Sequence, residues 1–269
     1  MQTSKALNTG FSIPSVGMGT WGIKSEDLVT IIPEAIRLGY RHFDTARKYF
    51  NEEGVGEGIK ESDIARKEIF ITTKLWVTDF LRTKNAFDAS LQRLGLDYID
   101  LYLIHWPFPF WTKAWVELER IHKSGKARSI GVSNFGIKEL ETIRKKYQVI
   151  PAINQLEFSP FFYRKDLLDY CQSQNIVVAA YSPLTRGYRL NDPKIQTIAD
   201  KYCRTIPQIM LAWSLHHNLV VLPKSTSPDH LKENWEAQNI KLLPVDIDYL
   251  NSLNENYSAL STFWSRKNS

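Results

Sequence analysis

The chain has 269 residues, of which 43% are hydrophobic and 23% charged, and its formal net charge is +5. This composition is typical of a globular protein and excludes a disordered or fibrous chain. No apolar run approaches the roughly 18 residues of a membrane helix, the N-terminus lacks a signal-peptide core, and the scattered basic residues favour solvated helix faces over a nucleic-acid surface. We therefore expect a cytoplasmic protein that binds neither membrane nor nucleic acid.

Short apolar runs alternate with helical patterns along the chain. The first segment, SKALNTGFSIPSVG, has an Asn-Thr-Gly turn between two short alternating runs, which predicts a β-hairpin that closes the bottom of a barrel. The later runs are rich in β-branched residues and predict buried strands. In chain order, the eight predicted strands are 15–21, 41–44, 68–75, 100–106, 128–134, 152–158, 176–182 and 219–225.

The segments between these runs have the spacing of amphipathic helices. In TKNAFDASLQRLG, Phe87, Leu91 and Leu94 share one face, and Gly95 is placed to end the helix. Similar patterns in TKAWVELERIHKSGK and GIKELETIRKK predict two further helices. The apolar faces of these two helices are predicted to bury Trp115, Leu118, Ile121, Ile137, Leu140 and Ile143.

Eight strands that alternate with helices predict an α/β protein, a (β/α)8 TIM barrel that forms a single domain over residues 1–269. Most intervals between strands match the roughly 30 residues of one βα unit. The longer seventh interval holds PKIQTIADKY, which predicts an additional helix after the seventh strand, and a further helix is expected at the C-terminus. A doubly wound sheet is the alternative, but GMGTWGIKSED after the first strand lacks the GxGxxG order.

Each predicted strand ends at a polar or unusual residue. TIM barrels place their chemistry at the C-terminal ends of their strands, so these side chains are candidates for a functional site. Asp44, Lys74 and His105 end three successive strands, and Tyr49 follows Asp44 by five residues. The strand-end residues are Thr20, Asp44, Lys74, His105, Ser133, Gln155, Tyr181 and Lys224.

Four groups in one quadrant of the barrel mouth could act together in acid catalysis: a phenol, an ammonium, a carboxylate and an imidazole. The pKa of a free tyrosine is near 10, and a neighbouring Lys74 is expected to lower it. Asp44 would keep Lys74 charged, and His105 would hydrogen-bond a substrate oxygen. Tyr49 would then act as a general acid that protonates a carbonyl oxygen as the carbonyl accepts hydride. Singly, each residue has an ordinary structural explanation, and their joint placement favours catalysis.

Seven segments resemble, in order and with the correct spacing, the signature segments of the aldo-keto reductases. They are RHFDTARKYFNEEGVGEGI, ITTKLW, YLIHWP, GVSNF, NQLEFSP, AYSPL and LPKSTSPDHLKEN. The resemblance runs from about residue 17 to residue 234 and implies a TIM barrel that uses NADPH or NADH without a Rossmann domain. It also implies a catalytic tetrad, which consists of Asp44, Tyr49, Lys74 and His105.

The resemblance further implies a cofactor site along the strand ends. Polar side chains after the fifth and sixth strands would hydrogen-bond the carboxamide, and Tyr181 would stack on the nicotinamide ring. Asp44 would lie near the nicotinamide ribose, and the residues after Tyr181 would line the pyrophosphate path. The residues implied for this part of the site are Gly19, Thr20, Trp21, Asp44, Ser133, Asn134, Gln155, Tyr181, Ser182 and Leu184.

The segment KSTSPDHLKEN implies the far end of the cofactor site. Lys224 and Ser225 resemble the pair that holds the 2′-phosphate of NADPH, and Glu233 and Asn234 resemble the adenine contacts. The family often has an arginine six residues after the lysine, where this sequence has His230, which is mostly neutral at pH 7. Either the phosphate is held less tightly or His230 only stacks on adenine. We expect NADPH as the cofactor, with NADH as an alternative donor.

The substrate side of the predicted site is aromatic. The chain has eight tryptophans, and several adjoin the tetrad. We expect an apolar pocket for a small-molecule carbonyl substrate, in an open cleft because the loop after His105 is short. The segment TFW, with Phe263 and Trp264, is predicted to fold over the pocket. The expected substrate-binding residues are Trp21, Phe50, Trp76, His105, Trp106 and Phe108.

Other interpretations of the sequence have less support. The histidine pair in AWSLHHNL has no carboxylate or cysteine placed beside it, so no metal site is expected. Gly54, Gly56 and Gly58 follow NEE and not a buried strand, so they predict close packing of the second helix against the barrel, not a nucleotide loop. A lyase or isomerase would need a carboxylate base such as Glu157. The main alternative to a monomeric reductase is a cofactor-binding regulatory or structural subunit, which the intact tetrad disfavours.

Overall fold

The computed structural model describes residues 3–262. Within this range, a two-stranded N-terminal hairpin precedes an eight-stranded parallel sheet whose strands alternate with helices. The strands are β1 (Ser4–Ala6), β2 (Ser12–Pro14), β3 (Met18–Gly19), β4 (His42–Asp44), β5 (Phe70–Leu75), β6 (Ile99–Ile104), β7 (Ala127–Ser133), β8 (Ile153–Glu157), β9 (Val177–Tyr181) and β10 (Val220–Leu222). The helices are α1 (Ser25–Leu38), α2 (Glu52–Glu61), α3 (Thr83–Leu94), α4 (Trp111–Lys123), α5 (Ile137–Lys146), α6 (Lys165–Ser173), α7 (Pro193–Lys201), α8 (Ile206–His216), α9 (Pro228–Glu236) and α10 (Pro244–Ser252).

The eight-stranded sheet closes into a barrel. Strands β3 to β10 follow the order of the chain, and each pair of neighbours is parallel. Across the remaining seam, the amide of Gly17 donates to the carbonyl of Val221 at 2.9 Å, and the amide of Gly19 donates to the carbonyl of Pro223 at 3.0 Å. These bonds join the first barrel strand to the last and confirm the predicted (β/α)8 barrel.

The additional helices are also confirmed. Helices α7 and α8 both lie between β9 and β10, and α10 follows α9 on the C-terminal side. Helix α8 begins with a capping box: the Thr205 hydroxyl accepts a hydrogen bond from the Gln208 amide, and the Gln208 side chain accepts one from the Thr205 amide at 3.3 Å. This reciprocal pair satisfies two amides that would otherwise lack helical partners, and so fixes where α8 begins.

The predicted helix faces are correct at all but one position. Phe87, Leu91 and Leu94 are buried on α3, and Gly95 ends that helix with a φ of 63°. Ile137, which is predicted to be buried, is 40% exposed, whereas the two later apolar residues on its face are buried. The reason is its position, because Ile137 is the first residue of α5, before the helix packs against the barrel.

The hairpin covers the N-terminal end of the barrel, as the sequence predicts. Leu7 and Ile13 belong to the same buried cluster as Leu101 and Leu103, which point inside the barrel from β6. The hydroxyl of Thr9, in the turn between β1 and β2, also lies 2.7 Å from a serine hydroxyl of β7. The opposite end of the barrel, which holds the C-terminal ends of the strands, is therefore the accessible mouth.

Three glycines let α2 pack tightly against its neighbours. A Cβ atom at Gly54 would lie 2.1 Å from the Ser25 carbonyl oxygen, and one at Gly56 would lie 2.2 Å from the Leu94 carbonyl oxygen. A Cβ at Gly58 would likewise meet the backbone of α1. The close approach predicted from the sequence is present, but its partners are α1 and the end of α3, not the barrel strands.

No helix within residues 3–262 is long and apolar enough to cross a membrane. In the same part of the chain, no cluster of three or more histidine, cysteine, aspartate or glutamate side chains is arranged to hold a metal ion. The adjacent histidines of α8 and its C-cap pack against other rings instead. The His217 ring lies 4.8 Å from the Trp213 ring, and its Nε2 atom lies 2.8 Å from Asn251 Oδ1.

Candidate active site

The four residues of the predicted tetrad meet at the mouth of the barrel. Asp44 ends β4, Lys74 is the penultimate residue of β5, and His105 follows β6, so three neighbouring strands deliver them to one side. Tyr49 ends a 3-10 turn, Arg47–Tyr49, that begins shortly after β4. Because β4, β5 and β6 are parallel, their C-terminal ends place these side chains together.

The Lys74 ammonium is the centre of this cluster. Its Nζ atom donates to Asp44 Oδ1 at 2.6 Å, to the Thr45 carbonyl at 2.8 Å and to the Tyr49 hydroxyl at 3.3 Å. Lys74 is fully buried and Asp44 is 4% exposed. All three protons of the ammonium therefore have acceptors, which is what a buried lysine needs to keep its charge.

Burial and charge set the protonation states of this cluster. Burial alone would lower the pKa of Lys74, but Asp44 and Tyr49 outweigh it and the pKa is raised. Burial raises the pKa of Tyr49, and the opposing charge of Lys74 does not reverse that direction. The sequence predicts a lowered tyrosine pKa, so the desolvation of the phenol was the missing effect. Tyr49 holds its proton and Lys74 its charge near neutral pH.

The imidazole of His105 lies between two aromatic rings. The Tyr49 ring contacts it edge-on at a centroid distance of 5.8 Å, and the Trp76 ring does so at 5.2 Å. Burial lowers the pKa of His105 well below its usual range, and the charge of Lys74 lowers it further. The imidazole is therefore neutral at physiological pH, and it can offer an N–H group without adding a positive charge.

The loop that carries Tyr49 is fixed by Asn51, a role that was not predicted from the sequence. Its side-chain nitrogen donates to the carbonyls of Thr20 and Ile23, both at 2.9 Å, and its oxygen accepts from the Thr45 hydroxyl at 2.8 Å. The buried amide thus ties the loop to the first barrel strand. The available signal in the sequence was the residue type, because asparagine side chains often hydrogen-bond the backbone in turns.

Opposite the tetrad, the amide side chain of Gln155 reaches across the barrel. Its Nε2 atom donates to Asp44 Oδ2 at 2.7 Å. The Ser133 hydroxyl and the Asn134 backbone amide both donate to the Gln155 carbonyl at 2.9 Å, and the Tyr181 hydroxyl donates to Asn134 Oδ1 at 2.8 Å. The predicted carboxamide and stacking residues thus form one network, and its direct link to Asp44 was not foreseen.

The residues of the first strand lie beside the same cluster. The amide and the hydroxyl of Thr20 both donate to the Asp44 carbonyl at 3.0 Å, and Gly19 takes part in the barrel seam. Trp21 is 41% exposed, and the Arg186 guanidinium lies 4.3 Å from the centroid of its ring. Arg186 belongs to the turn after β9, and its position at the site was not predicted from the sequence.

The turn after β9 carries the residues predicted for the pyrophosphate path. Ser182 and Leu184 are both half-buried at this turn. Ser182, Thr185 and Arg186 have φ values of 48°, 50° and 53°, respectively. This left-handed backbone turns the chain sharply at the mouth, so that the segment borders the opening next to Trp21.

The predicted phosphate site lies between the end of β10 and the start of α9. Lys224 is exposed, and Ser225 is buried with its hydroxyl accepting a hydrogen bond from the Ser227 amide at 3.0 Å. Ser227 is the N-cap of α9, and His230 is exposed in the first turn of that helix. A lysine three residues before the N-cap of a nine-residue helix suits a phosphate, so this donor set fits a phosphorylated dinucleotide.

The two predicted adenine contacts lie further along α9. Glu233 is half-buried and accepts a hydrogen bond from the Thr205 hydroxyl. Asn234 is 2% exposed. Both lie on the helix that begins at the predicted phosphate site, but Glu233 is engaged with the start of α8.

Aromatic side chains surround the opening on the substrate side. Phe50 is 70% exposed and Phe108 is 55% exposed, and both follow strand ends that form the mouth. Trp76 and Trp106 are half-buried beside His105. These aromatic residues lie at the strand ends, where Phe50 and Phe108 present their rings to solvent, and the apolar substrate pocket stays a prediction.

Glu157 has a structural partner at the end of β8. Its carboxylate accepts hydrogen bonds from the Ser258 hydroxyl at 2.7 Å and from the Leu260 amide at 3.1 Å. It therefore holds the C-terminal segment against the barrel, which gives the carboxylate a role other than that of a catalytic base. The predicted contact of Phe263 and Trp264 with the pocket lies outside the described residues.

Comparisons with known proteins agree with this geometry. Residues 15–255 match the model of the aldo/keto reductase family. The chain is 43% identical over 253 residues to glyoxal reductase of Bacillus subtilis, which covers 93% of this chain and 92% of that protein. It is 40% identical over 241 residues to methylglyoxal reductase DkgA of Escherichia coli K12, which covers 88% of each chain.

A solved structure supports the same relationship. The crystal structure of an aldo/keto reductase from Brucella melitensis superposes with a TM-score of 0.91 at 41% sequence identity, over 94% of this chain and 100% of the other. These similarities extend over nearly the whole sequence, including the barrel and the buried cluster at its mouth. The chain therefore belongs to the aldo/keto reductase family of oxidoreductases.

Proposed function

We propose that this protein reduces a small aldehyde or ketone to the alcohol, with NADPH as the preferred cofactor and Tyr49 as the general acid. The observation that carries the proposal is the buried Lys74 ammonium, which contacts Asp44 and the Tyr49 hydroxyl together. The nicotinamide, when bound, supplies the hydride. The relatives named glyoxal reductase and methylglyoxal reductase support a carbonyl compound as the substrate.

The residues of the tetrad take complementary roles in this proposal. The carbonyl oxygen of the substrate is held between the Tyr49 hydroxyl and the neutral imidazole of His105. Tyr49 donates its proton as negative charge develops on that oxygen, and the adjacent Lys74 ammonium stabilises the resulting phenolate. Asp44 keeps Lys74 charged and in place, and Gln155 fixes the second oxygen of Asp44.

The preference for NADPH rests on the end of β10. The exposed ammonium of Lys224, the hydroxyl of Ser225 and the amino end of α9 together provide charge and donors for a 2′-phosphate. His230 stands where the family often has an arginine and lacks the planar guanidinium fork, so we propose a moderate preference over NADH. Equal kcat/KM values with the two cofactors, or a higher value with NADH, would contradict this part of the proposal.

Replacement of Tyr49 tests the mechanism. Tyr49→Phe removes the proton donor and keeps the ring, so we expect kcat for a reactive aldehyde such as 4-nitrobenzaldehyde to fall by about 10²- to 10⁴-fold. NADPH binding, followed by quenching of tryptophan fluorescence, should remain. Tyr249→Phe, at a partly exposed tyrosine on α10, is the matched control. A Tyr49→Phe variant with full activity would refute the role of the phenol, and a wild-type protein that binds NADPH without turnover would favour the regulatory subunit.

A further inference from the structure

Two basic side chains precede Tyr49 at the rim of the cleft. The Arg47 guanidinium lies 5.4 Å from the centroid of the Phe50 ring. The Lys48 ammonium lies 5.4 Å from the Phe50 ring and 5.4 Å from the Trp76 ring. The Trp76 ring in turn contacts the His105 imidazole. The Trp76 ring therefore lies between the Lys48 ammonium and His105, the residue proposed to hydrogen-bond the carbonyl oxygen of the substrate.

The charges of this cationic rim, formed by Arg47 and Lys48, are not neutralised by the protein. Neither side chain has a carboxylate within ion-pair distance anywhere in residues 3–262. Two acidic residues of the neighbouring segments have other partners. Asp79, in the turn after Trp76, lies 3.6 Å from Arg82, and Glu52 is bound by an arginine of α3.

We propose that the cleft selects carbonyl substrates that carry a carboxylate at the end remote from the carbonyl, and that Lys48 is the main residue that recognises it. The inference rests on the proposed reductase function and specifies its substrate class. An ammonium held over aromatic faces keeps its N–H donors available to an anion. The adjoining rings of Phe50 and Trp76 also reduce the exposure of a bound carboxylate to water, which strengthens its attraction to the cation.

The ordinary alternative is that the two cations only cover exposed rings. That alternative predicts no difference between charged and neutral substrates when the cations are removed. The proposal predicts a loss that is confined to charged substrates and that weakens as salt screens the attraction. The two explanations therefore separate on a pair of substrates that differ only in charge.

The test compares 4-carboxybenzaldehyde with its methyl ester, with NADPH as the cofactor. Selectivity is measured as the ratio of kcat/KM for the acid to kcat/KM for the ester, so that electronic differences between the aldehydes cancel when variants are compared. In Lys48→Gln, we expect the ratio to fall about two- to fivefold, and further when Arg47→Gln is added. Lys48→Arg should retain most of the wild-type selectivity ratio. In the wild type, the ratio should decline as the NaCl concentration is raised.

The control is Lys60→Gln, which removes the same charge at the far end of α2. We expect it to leave the ratio unchanged. The proposal is overturned if Lys48→Gln and the double variant keep the wild-type ratio, or if Lys60→Gln lowers the ratio equally. Failure of the reductase function itself would look different, because neither aldehyde would then be turned over by any form of the protein.

Discussion

The ammonium of Lys74 is buried together with the carboxylate that it binds, so its removal affects stability and activity at once. Lys74→Met leaves Asp44 buried without its counter-ion, which typically costs about 3–5 kcal/mol of unfolding free energy. We expect this loss in a urea titration, together with a large loss of reductase activity. Asp44→Asn added to Lys74→Met should recover much of the stability and none of the activity. A Lys74→Met variant as stable as the wild type would show that the ion pair of Lys74 and Asp44 is not buried in solution.

A second residue-scale prediction concerns His42, which is buried on β4. Burial, and then the charge of Lys74, lower its pKa to about 3, whereas an exposed histidine titrates near 6.5. The unfolded chain therefore binds the proton more readily, so the stability from neutral His42 is present above about pH 6.5 and is lost as the pH falls toward 3.

The measurement is the unfolding free energy from about pH 7 to about pH 4. Below about pH 6, the wild type should lose up to about 1.4 kcal/mol per pH unit more than His42→Gln. The exposed His216 gives the control, because His216→Gln should keep the slope of the wild type. Parallel curves for the wild type and His42→Gln would rule out a neutral buried imidazole.

The meeting of the predicted tetrad at one side of the mouth could be predicted because three of its residues lie at or next to the ends of successive strands, and strand ends are visible in a sequence. Two features of the site could not. The hydrogen bond from Gln155 to Asp44 joins residues 111 positions apart through side-chain conformations inside the barrel. The direction of the Tyr49 pKa depends on desolvation, which is a property of the packed site and not of the neighbouring lysine alone.

At the scale of elements, the contact between α2 and α3 depends on the absence of a side chain at Gly56. In Gly56→Ala, the new Cβ would lie 2.2 Å from a backbone oxygen of α3, which cannot move without shifting that helix. We expect a net loss of about 1–3 kcal/mol in unfolding free energy despite the better helix propensity of alanine. Glu57→Ala, at an exposed position on the same helix, should be nearly neutral. An equally stable Gly56→Ala protein would contradict the close helix contact.

The order and type of the elements could be predicted, because buried parallel strands and amphipathic helices have different periodicities. Their bounds could not be predicted as well. The first barrel strand is predicted over 15–21, whereas only Met18–Gly19 forms β3, with Val16 in an isolated bridge to β10. Strand length here depends on how neighbouring strands meet at the seam. Likewise, the exposure of Ile137 depends on where α5 reaches the barrel surface, which periodicity alone does not specify.

At the scale of the whole molecule, the eight-fold repeat was the most informative feature of the sequence. Eight successive βα units admit few arrangements, because crossovers between parallel strands are right-handed and a closed barrel removes free sheet edges. The fold then places all strand ends at one opening. What the repeat could not predict is which residues of the connecting loops reach that opening, such as Arg186 beside Trp21.

The seam of the barrel has a consequence for synthesis of the chain. Val16 and Val221, which meet across it, are separated by about 200 residues, so the first barrel strand leaves the ribosome long before its second neighbour exists. Until then, one side of β3 is an open sheet edge with unpaired amides, which is a surface that invites pairing with other chains. The final strand therefore completes the fold and also ends the period in which the nascent protein is exposed to aggregation.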